Sequence, residues 1–441
     1  MEEYLAAWMF LALTILLMAG FPVTFTLLGT SIVFALLGPG LPFLDLLPLR
    51  IWGVMENVVL IAVPLFIFMG ITLERSGLAE ELLDTMGMLF GRMKGGLAIS
   101  VVIVGALLGA STGIVGATVV TMGLLAVPTM IRRGYQKELA TGTVAASGTL
   151  GQIIPPSIVL VLLGTIVQVP VGDLFVGAII PGMLLVVLYI IYIAIVSNLF
   201  PKMAPPIPRE EGQTSNRDFI LRVLRALVPP LVLIISVLGS IFAGVASPTE
   251  AAAVGSVGAV VLAVLNRKFS WKMLIEVMHG TTRLTCMVFI ILVGAAAFGL
   301  TFRELDGDAL VRGFLSDMAH QHTKWVVLAI VMGVIFLVGF ILDFIEITFI
   351  HVPVLAPIMI DFGFDPVWFC ILLAVNLQTS FLTPPFGFSL FYLKAVTPEG
   401  VRTGHIYRGI IPFVILQLIG LLLVVFFPEL ATWLPKVLYT N

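Results

Sequence analysis

Two prolyl pairs, Pro155-Pro156 and Pro384-Pro385, each interrupt a long apolar run, and both lie among hydroxyls and carboxamides. Ser147, Thr149 and Gln152 precede the first pair; Asn376, Gln378, Thr379, Ser380 and Thr383 precede the second. Proline has no amide hydrogen, so in a helix the carbonyls four residues earlier lose their partners. Those carbonyls belong to Gly151 and Gln152 in one run and to Ser380 and Phe381 in the other. Gathered uncharged oxygens suit a weakly held alkali cation, and the half-helix that restarts after a break presents an N-terminus suited to a carboxylate. The pattern predicts one coupled cation and carboxylate site.

These breaks need an apolar frame, and the composition supplies one. The chain has 441 residues, 60% hydrophobic and 11% charged, with a mean hydropathy of +1.15. Apolar runs of about 20 residues, enough for a helix to cross a bilayer, recur from Leu5 onwards. A water-soluble fold is excluded, and a net charge of -2 with basic residues confined to short connectors gives no surface for nucleic acid. The N-terminus lacks the basic stretch of a cleavable signal peptide, so the first apolar run is expected to stay in the mature protein. Cys286 and Cys370 are far apart within apolar runs and are read as packing residues.

The chain repeats itself at an offset of 229 residues, with Pro128 to Pro156 matching Pro357 to Pro385 without a gap. Pro128 meets Pro357, Gly134 meets Gly363, and the two prolyl pairs coincide. The matched connectors differ in charge: 131 to 138 holds Arg132, Arg133 and Lys137, whereas 360 to 367 holds no basic residue. Basic connectors face the cytoplasm, so equivalent connectors lie on opposite sides and the repeat is inverted.

The basic stretch 201 to 225 is likewise cytoplasmic. Counting outwards from it gives an all-α polytopic chain of about ten crossings plus two re-entrant hairpins, with Glu2 and Glu3 outside. The first repeat covers 1–200, with a hairpin at 97–130 and a broken helix at 139–163. A cytoplasmic linker covers 201–226, and the second repeat covers 227–441, with a hairpin at 326–360 and a broken helix at 366–393. The first hairpin arms, 97 to 108 and 326 to 338, have 12 and 13 residues, too few to cross, and turn at Gly109–Gly113 and Gly339–Asp343. Polar segments 74 to 94 and 303 to 323 read as amphipathic surface helices.

Irregular backbone at membrane depth survives only where it lines protein or a wet cavity. The hairpin tips therefore belong with the breaks. The expected ion ligands are Gly109, Ser111, Ser147, Thr149, Gly151, Gly339, Asp343, Gln378, Thr379, Ser380 and Thr383; the expected carboxylate contacts are Ser111, Thr112, Gln152, Ser157, Asn376 and Gln378. A single Pro-Pro in a membrane helix is often only a kink; its duplication favours function. Asp343 and Glu346, three apart on one helical face, could relay a proton, or Glu346 could instead sit in a salt bridge or at a cavity edge. His320 and His322 fall in a polar connector and are read as solvated rather than metal-binding. Arg283 could hold a carboxylate but is read as snorkelling to the interface. No Walker motif and no facing acid–histidine constellation appears, so neither direct ATP drive nor enzyme activity is expected.

Taken together, four segments resemble the large membrane subunit of tripartite ATP-independent periplasmic transporters: Gly109–Gly113, Ala146–Ser157, Ala246–Ala251 and Asn376–Gly387. The resemblance covers essentially the whole chain. It implies an elevator mechanism in a bacterial or archaeal inner membrane, driven by sodium. It also implies a soluble periplasmic substrate-binding protein and a small four-helix membrane subunit as partners. The cargo it implies is a small organic acid such as a dicarboxylate, a sialic acid or a sugar acid. The rival expectation is a stand-alone sodium-dicarboxylate or citrate symporter of similar architecture.

Overall fold

The computed structural model describes residues 4–113, 115–206, 216–385 and 387–439; the side chains of residues 111, 112 and 216–220 fall outside that description. The described residues hold twenty-one α-helices and no strand. Seven of these helices are long and apolar enough to cross a membrane, or eight with one bent pair counted as a span. Shorter apolar helices, among them α1 (Leu5–Met18) and α2 (Val23–Leu37), would have to supply the remaining crossings of a ten-crossing chain.

The first half continues with α3 (Leu46–Met55), α4 (Ala62–Arg75), α5 (Leu78–Phe90), α6 (Gly96–Thr112), α7 (Val115–Arg132), α8 (Lys137–Thr149), α9 (Ile158–Val167) and α10 (Val171–Leu199). The second half holds α11 (Asn216–Phe242), α12 (Pro248–Leu265), α13 (Trp271–Glu304), α14 (Gly307–Gln321), α15 (Lys324–Val338), α16 (Phe344–Ile350), α17 (Val352–Asp361), α18 (Pro366–Leu382), α19 (Phe388–Val396), α20 (Thr403–Phe426) and α21 (Glu429–Tyr439). Adding 229 to the first residues of α5, α7 and α8, or to the last residues of α7 and α9, lands on equivalent helix boundaries in the second half. Of the linker 201–226, residues 207–215 lie outside the described residues.

The helices start and stop where side-chain chemistry dictates. Ser247 and Glu250 close a reciprocal capping box before α12, and Asp365 accepts from the Trp368 amide at 3.0 Å to start α18. Gly113, at φ 61, ends α6 in a left-handed conformation that strains residues bearing a Cβ. The first hairpin therefore turns later than expected from sequence: α6 continues through Gly109 to Thr112 for 17 residues, because nothing in Gly109-Ala-Ser-Thr breaks a helix before Gly113. The second turn falls where expected, with α15 ending at Val338 and α16 starting after Asp343.

The broken helices form the centre of the molecule. In α8 every residue from Leu139 to Thr149 is buried, in α18 every residue from Trp368 to Leu382, and in α9 every residue from Ile158 to Gly164. Around them α4 packs on α12 and α13, α20 packs on α8, and α10 packs on α18 and α21. Large apolar side chains such as Phe25, Val254 and Phe426 face outwards, as expected where lipid is the solvent.

Candidate functional site

Both breaks form at the predicted residues. After α8 the chain makes a short 3-10 turn over Leu150–Gln152, passes the cis Pro155-Pro156 bond and resumes as α9. After α18 it passes the cis Pro384-Pro385 bond and resumes as α19. Glycines let the hairpins reach these breaks. A Cβ on Gly109 would stand 2.6 Å from the Gly151 amide nitrogen, and one on Gly105 would stand 2.6 Å from the Ser147 Cβ. In the other half a Cβ on Gly339 would collide with the Ser380 hydroxyl. Asn376 Nδ2 donates to the Met332 carbonyl of α15 at 2.9 Å, tying that hairpin arm to its own break.

The expectation of four freed carbonyls needs correction. The Ser157 hydroxyl donates to the Gln152 carbonyl, the Ser389 hydroxyl to the Phe381 carbonyl at 2.9 Å, and the Thr383 amide to the Ser380 carbonyl at 3.1 Å. A buried carbonyl without a partner costs about 1–3 kcal/mol, so the fold recruits hydroxyls from beyond each break. Ser157 therefore enters the site as a backbone partner. Ser389, which sequence reasoning missed, has the matching role; its signal is a hydroxyl just after a prolyl pair in an apolar run.

The hydroxyls before the breaks share one geometry. Ser147 donates to Val144 O, Thr149 to Ala146 O, Thr379 to Val375 O, Ser380 to Leu377 O and Thr383 to Thr379 O, at 2.8–3.1 Å. With its proton committed to its own helix, each oxygen keeps only lone pairs for a further partner, and lone pairs are what a cation needs. The carboxamides differ. Gln152 is fully buried, and among the described residues its Nε2 and Oε1 both lack a hydrogen-bond partner, as does Oε1 of Gln378. Gln378 Nε2 makes one long contact, 3.4 Å, to Thr149 Oγ1 across the two breaks. The two breaks thus combine buried amide atoms without partners among the described residues and hydroxyl oxygens with free lone pairs.

Among the described residues, no side-chain hydrogen bond caps the N-termini of the half-helices that restart, α9 and α19, and helix-start amides of this kind suit an anion. The hairpin helix α16 differs: Asp343 Oδ1 accepts from the Phe344 amide at 2.6 Å, while Glu346 Oε2 accepts from the Asp343 amide at 3.1 Å. The pair three apart is thus a capping box, a use that neither the proton-relay nor the salt-bridge expectation contained. The side chains of Ser111 and Thr112, expected at the first tip, lie outside the described residues. Glu74, expected at the start of the polar surface segment 74 to 94, lies instead in the last turn of α4, where its carboxylate accepts from Thr121 Oγ1 of α7 at 2.6 Å.

All-helical architecture, apolar spans and buried helix breaks lined by polar groups define a multi-pass membrane protein of the secondary-transporter class. Residues 10–430 match the model of the tripartite ATP-independent periplasmic transporter, DctM component, and the chain belongs to that family as a large permease subunit. It is 31% identical over 391 residues to the C4-dicarboxylate TRAP transporter large permease protein DctM of Pseudomonas aeruginosa, covering 88% of this chain and 89% of that one. It is 29% identical over 442 residues to the ectoine/5-hydroxyectoine TRAP transporter large permease protein UehC of Ruegeria pomeroyi, covering 99% of this chain and 100% of that one. The solved Alcanivorax borkumensis YdaH transporter shares the fold, with a TM-score of 0.65 at 16% identity over 98% of this chain and 99% of that one.

Proposed function

We propose that this chain is the translocation subunit of a sodium-coupled, binding-protein-dependent secondary transporter that imports a small organic acid by an elevator movement. The observation that carries this is the centre of the fold: a fully buried Gln152 amide with no partner among the described residues, in a break whose hydroxyls keep only lone pairs. The hydroxyls of Ser147, Thr149, Thr379, Ser380 and Thr383 hold sodium, with carbonyls at Gly109, Gly151 and Gly339 and the side chains of Ser111, Asp343 and Gln378 completing the ion set. The amides opening α9 and α19, with Gln152, Asn376, Ser111 and Thr112, receive the carboxylate.

Two inverted repeats fit the coincidence of helix boundaries at an offset of 229, and also the contact between Thr149 and Gln378, which are separated by that same offset. Residues related by a two-fold axis meet each other only where the axis passes. In the elevator, the hairpins move with their broken helices, to which the glycine seams join them, while α4, α11, α12 and α13 stay with the frame. The domain division at 1–200, 201–226 and 227–441 follows. Two relatives of comparable identity are named for a C4-dicarboxylate and for ectoine. Such breadth is expected when a soluble periplasmic binding protein selects the cargo, and a small four-helix membrane subunit completes the inner-membrane assembly.

Purified chain with its small subunit in proteoliposomes tests this. Uptake should require both an inward sodium gradient and an added binding protein. Uptake with sodium alone would favour the stand-alone symporter, and uptake indifferent to sodium would refute the ion assignment.

A further inference from the structure

A cavity of about 800 Å³ lies away from the breaks, between α3, α13 and α14 on one wall and α9, α16 and α17 on the other. Its volume falls in the range that encloses small molecules. The bend of 58° between α16 and α17 shapes one side. On the topology above, every one of these segments contributes its external end, so the cavity opens outwards beside the second hairpin. Four charged residues line it: Arg50, Arg303, Asp308 and Asp361.

Both carboxylates have cationic partners. Asp361 accepts from Arg312 at 2.6 Å, and Asp308 lies 3.8 Å from Arg303. Arg50 makes no ion pair among the described residues, and its guanidinium is pulled down from its ordinary value by burial and then by the positive charge of Arg303. The partner of Asp361 comes from outside the lining, so Arg50 is the lining charge left without an opposite partner among the described residues. Two guanidiniums near enough to repel are stabilised by an anion between them, and the guanidinium fork matches a carboxylate edge.

We propose that this cavity is an external receiving site in which Arg50 and Arg303 hold a carboxylate before it reaches the helix breaks. The site rests on the import of an organic acid proposed above. It differs from the ion and substrate site at the breaks, and it is tested without transport.

Gly299 lies in the cavity wall, and a Cβ there would meet open space, so Gly299→Cys gives a thiol reporter. Cys286→Ser removes the exposed native thiol, while buried Cys370 stays. Full-length protein in vesicles is labelled from outside with an anionic sulfonate methanethiosulfonate and, separately, with a cationic trimethylammonium one. Arg50→Gln should slow the anionic reagent by about fivefold, the factor for a unit charge acting over a few ångströms of water, and should speed the cationic one. The effect should shrink at high salt. Succinate in excess should protect the reporter thiol from the anionic reagent when both arginines are present, and not in the Arg50→Gln, Arg303→Gln double variant. Labelling blind to charge, no protection by succinate, or protection that survives in the double variant would each overturn the site. The cationic reagent reports whether the cavity remains folded and open. Charge-selective labelling together with sodium-independent uptake would leave this site standing and remove the sodium-coupling proposal instead.

Discussion

Gly151→Ala puts the break and its hairpin in conflict at one atom. The new Cβ would stand 2.6 Å from the Cα and the carbonyl oxygen of Gly109 and 2.7 Å from its carbonyl carbon, all backbone atoms that cannot rotate aside. Ordinary contact begins near 3.4 Å, so α6 and the break must part by about 0.8 Å. Overpacking of this kind costs about 1–3 kcal/mol. Where that cost falls on the sodium-bound state it weakens apparent sodium affinity by about 5- to 150-fold. The assay is uptake against sodium concentration, paired with the unfolding temperature in detergent. Gly29→Ala and Gly239→Ala are the controls, because a Cβ at either position meets nothing within 4 Å. Gly151→Ala should raise the sodium requirement and leave maximal uptake largely recoverable at high sodium, whereas both controls should behave as the parent. A lowered unfolding temperature with an unchanged sodium dependence would mean that the glycine seam only packs helices, and the placement of the ion at the break would be wrong.

Thr149→Val and Thr383→Val keep side-chain shape, and each removes a hydroxyl whose proton already serves its own helix. The variants should fold normally and need about 5- to 150-fold more sodium, read from uptake titrations; unchanged titrations would reduce these hydroxyls to helix partners. A cysteine placed in the 131–138 connector should be labelled only from the cytoplasm and one in 361–365 only from outside. Labelling from the same side would end the inverted arrangement. Glu74 and Thr121 touch between α4 and α7 at 2.6 Å, so a disulfide between Glu74→Cys and Thr121→Cys should arrest uptake until it is reduced; continued uptake would put α4 in the moving body.

Helix breaks were legible because proline and glycine act through the backbone, whatever surrounds them. Pro155-Pro156 and Pro384-Pro385 had to open the helices, and the arm ending at Val338 had to be short. The first hairpin turn was less legible, since Ala-Ser-Thr following Gly109 is compatible with either helix or turn, and only the positive φ of Gly113 sets the end. Which polar groups remain available was not legible at all. Hydrogen bonds from Ser157 to Gln152 and from Ser389 to Phe381 bridge five and eight residues across a break, and no helical periodicity reports such a span. The Asp343–Glu346 box was within reach, since an acid followed three residues later by glutamate is a helix-start pattern, but its place in an apolar hairpin drew attention to charge instead.

The two breaks share a backbone plan and differ in what lines it. At the offset of 229, Ser147 aligns with Asn376, Thr149 with Gln378, Gly151 with Ser380 and Gln152 with Phe381. The first break thus has an amide with neither atom partnered among the described residues, where the second has a phenyl ring and gains a hydroxyl at the seam with its hairpin. A site that had to hold two identical ions would favour identical linings. Unequal linings on one backbone plan give sites of unequal chemistry, joined where Gln378 reaches Thr149. On the ion assignment proposed above, coupling would run through that contact: a cation drawing on the Thr149 lone pairs would compete with the Gln378 amide for the same oxygen. The freed amide would then be available to donate to the proposed carboxylate at the second break.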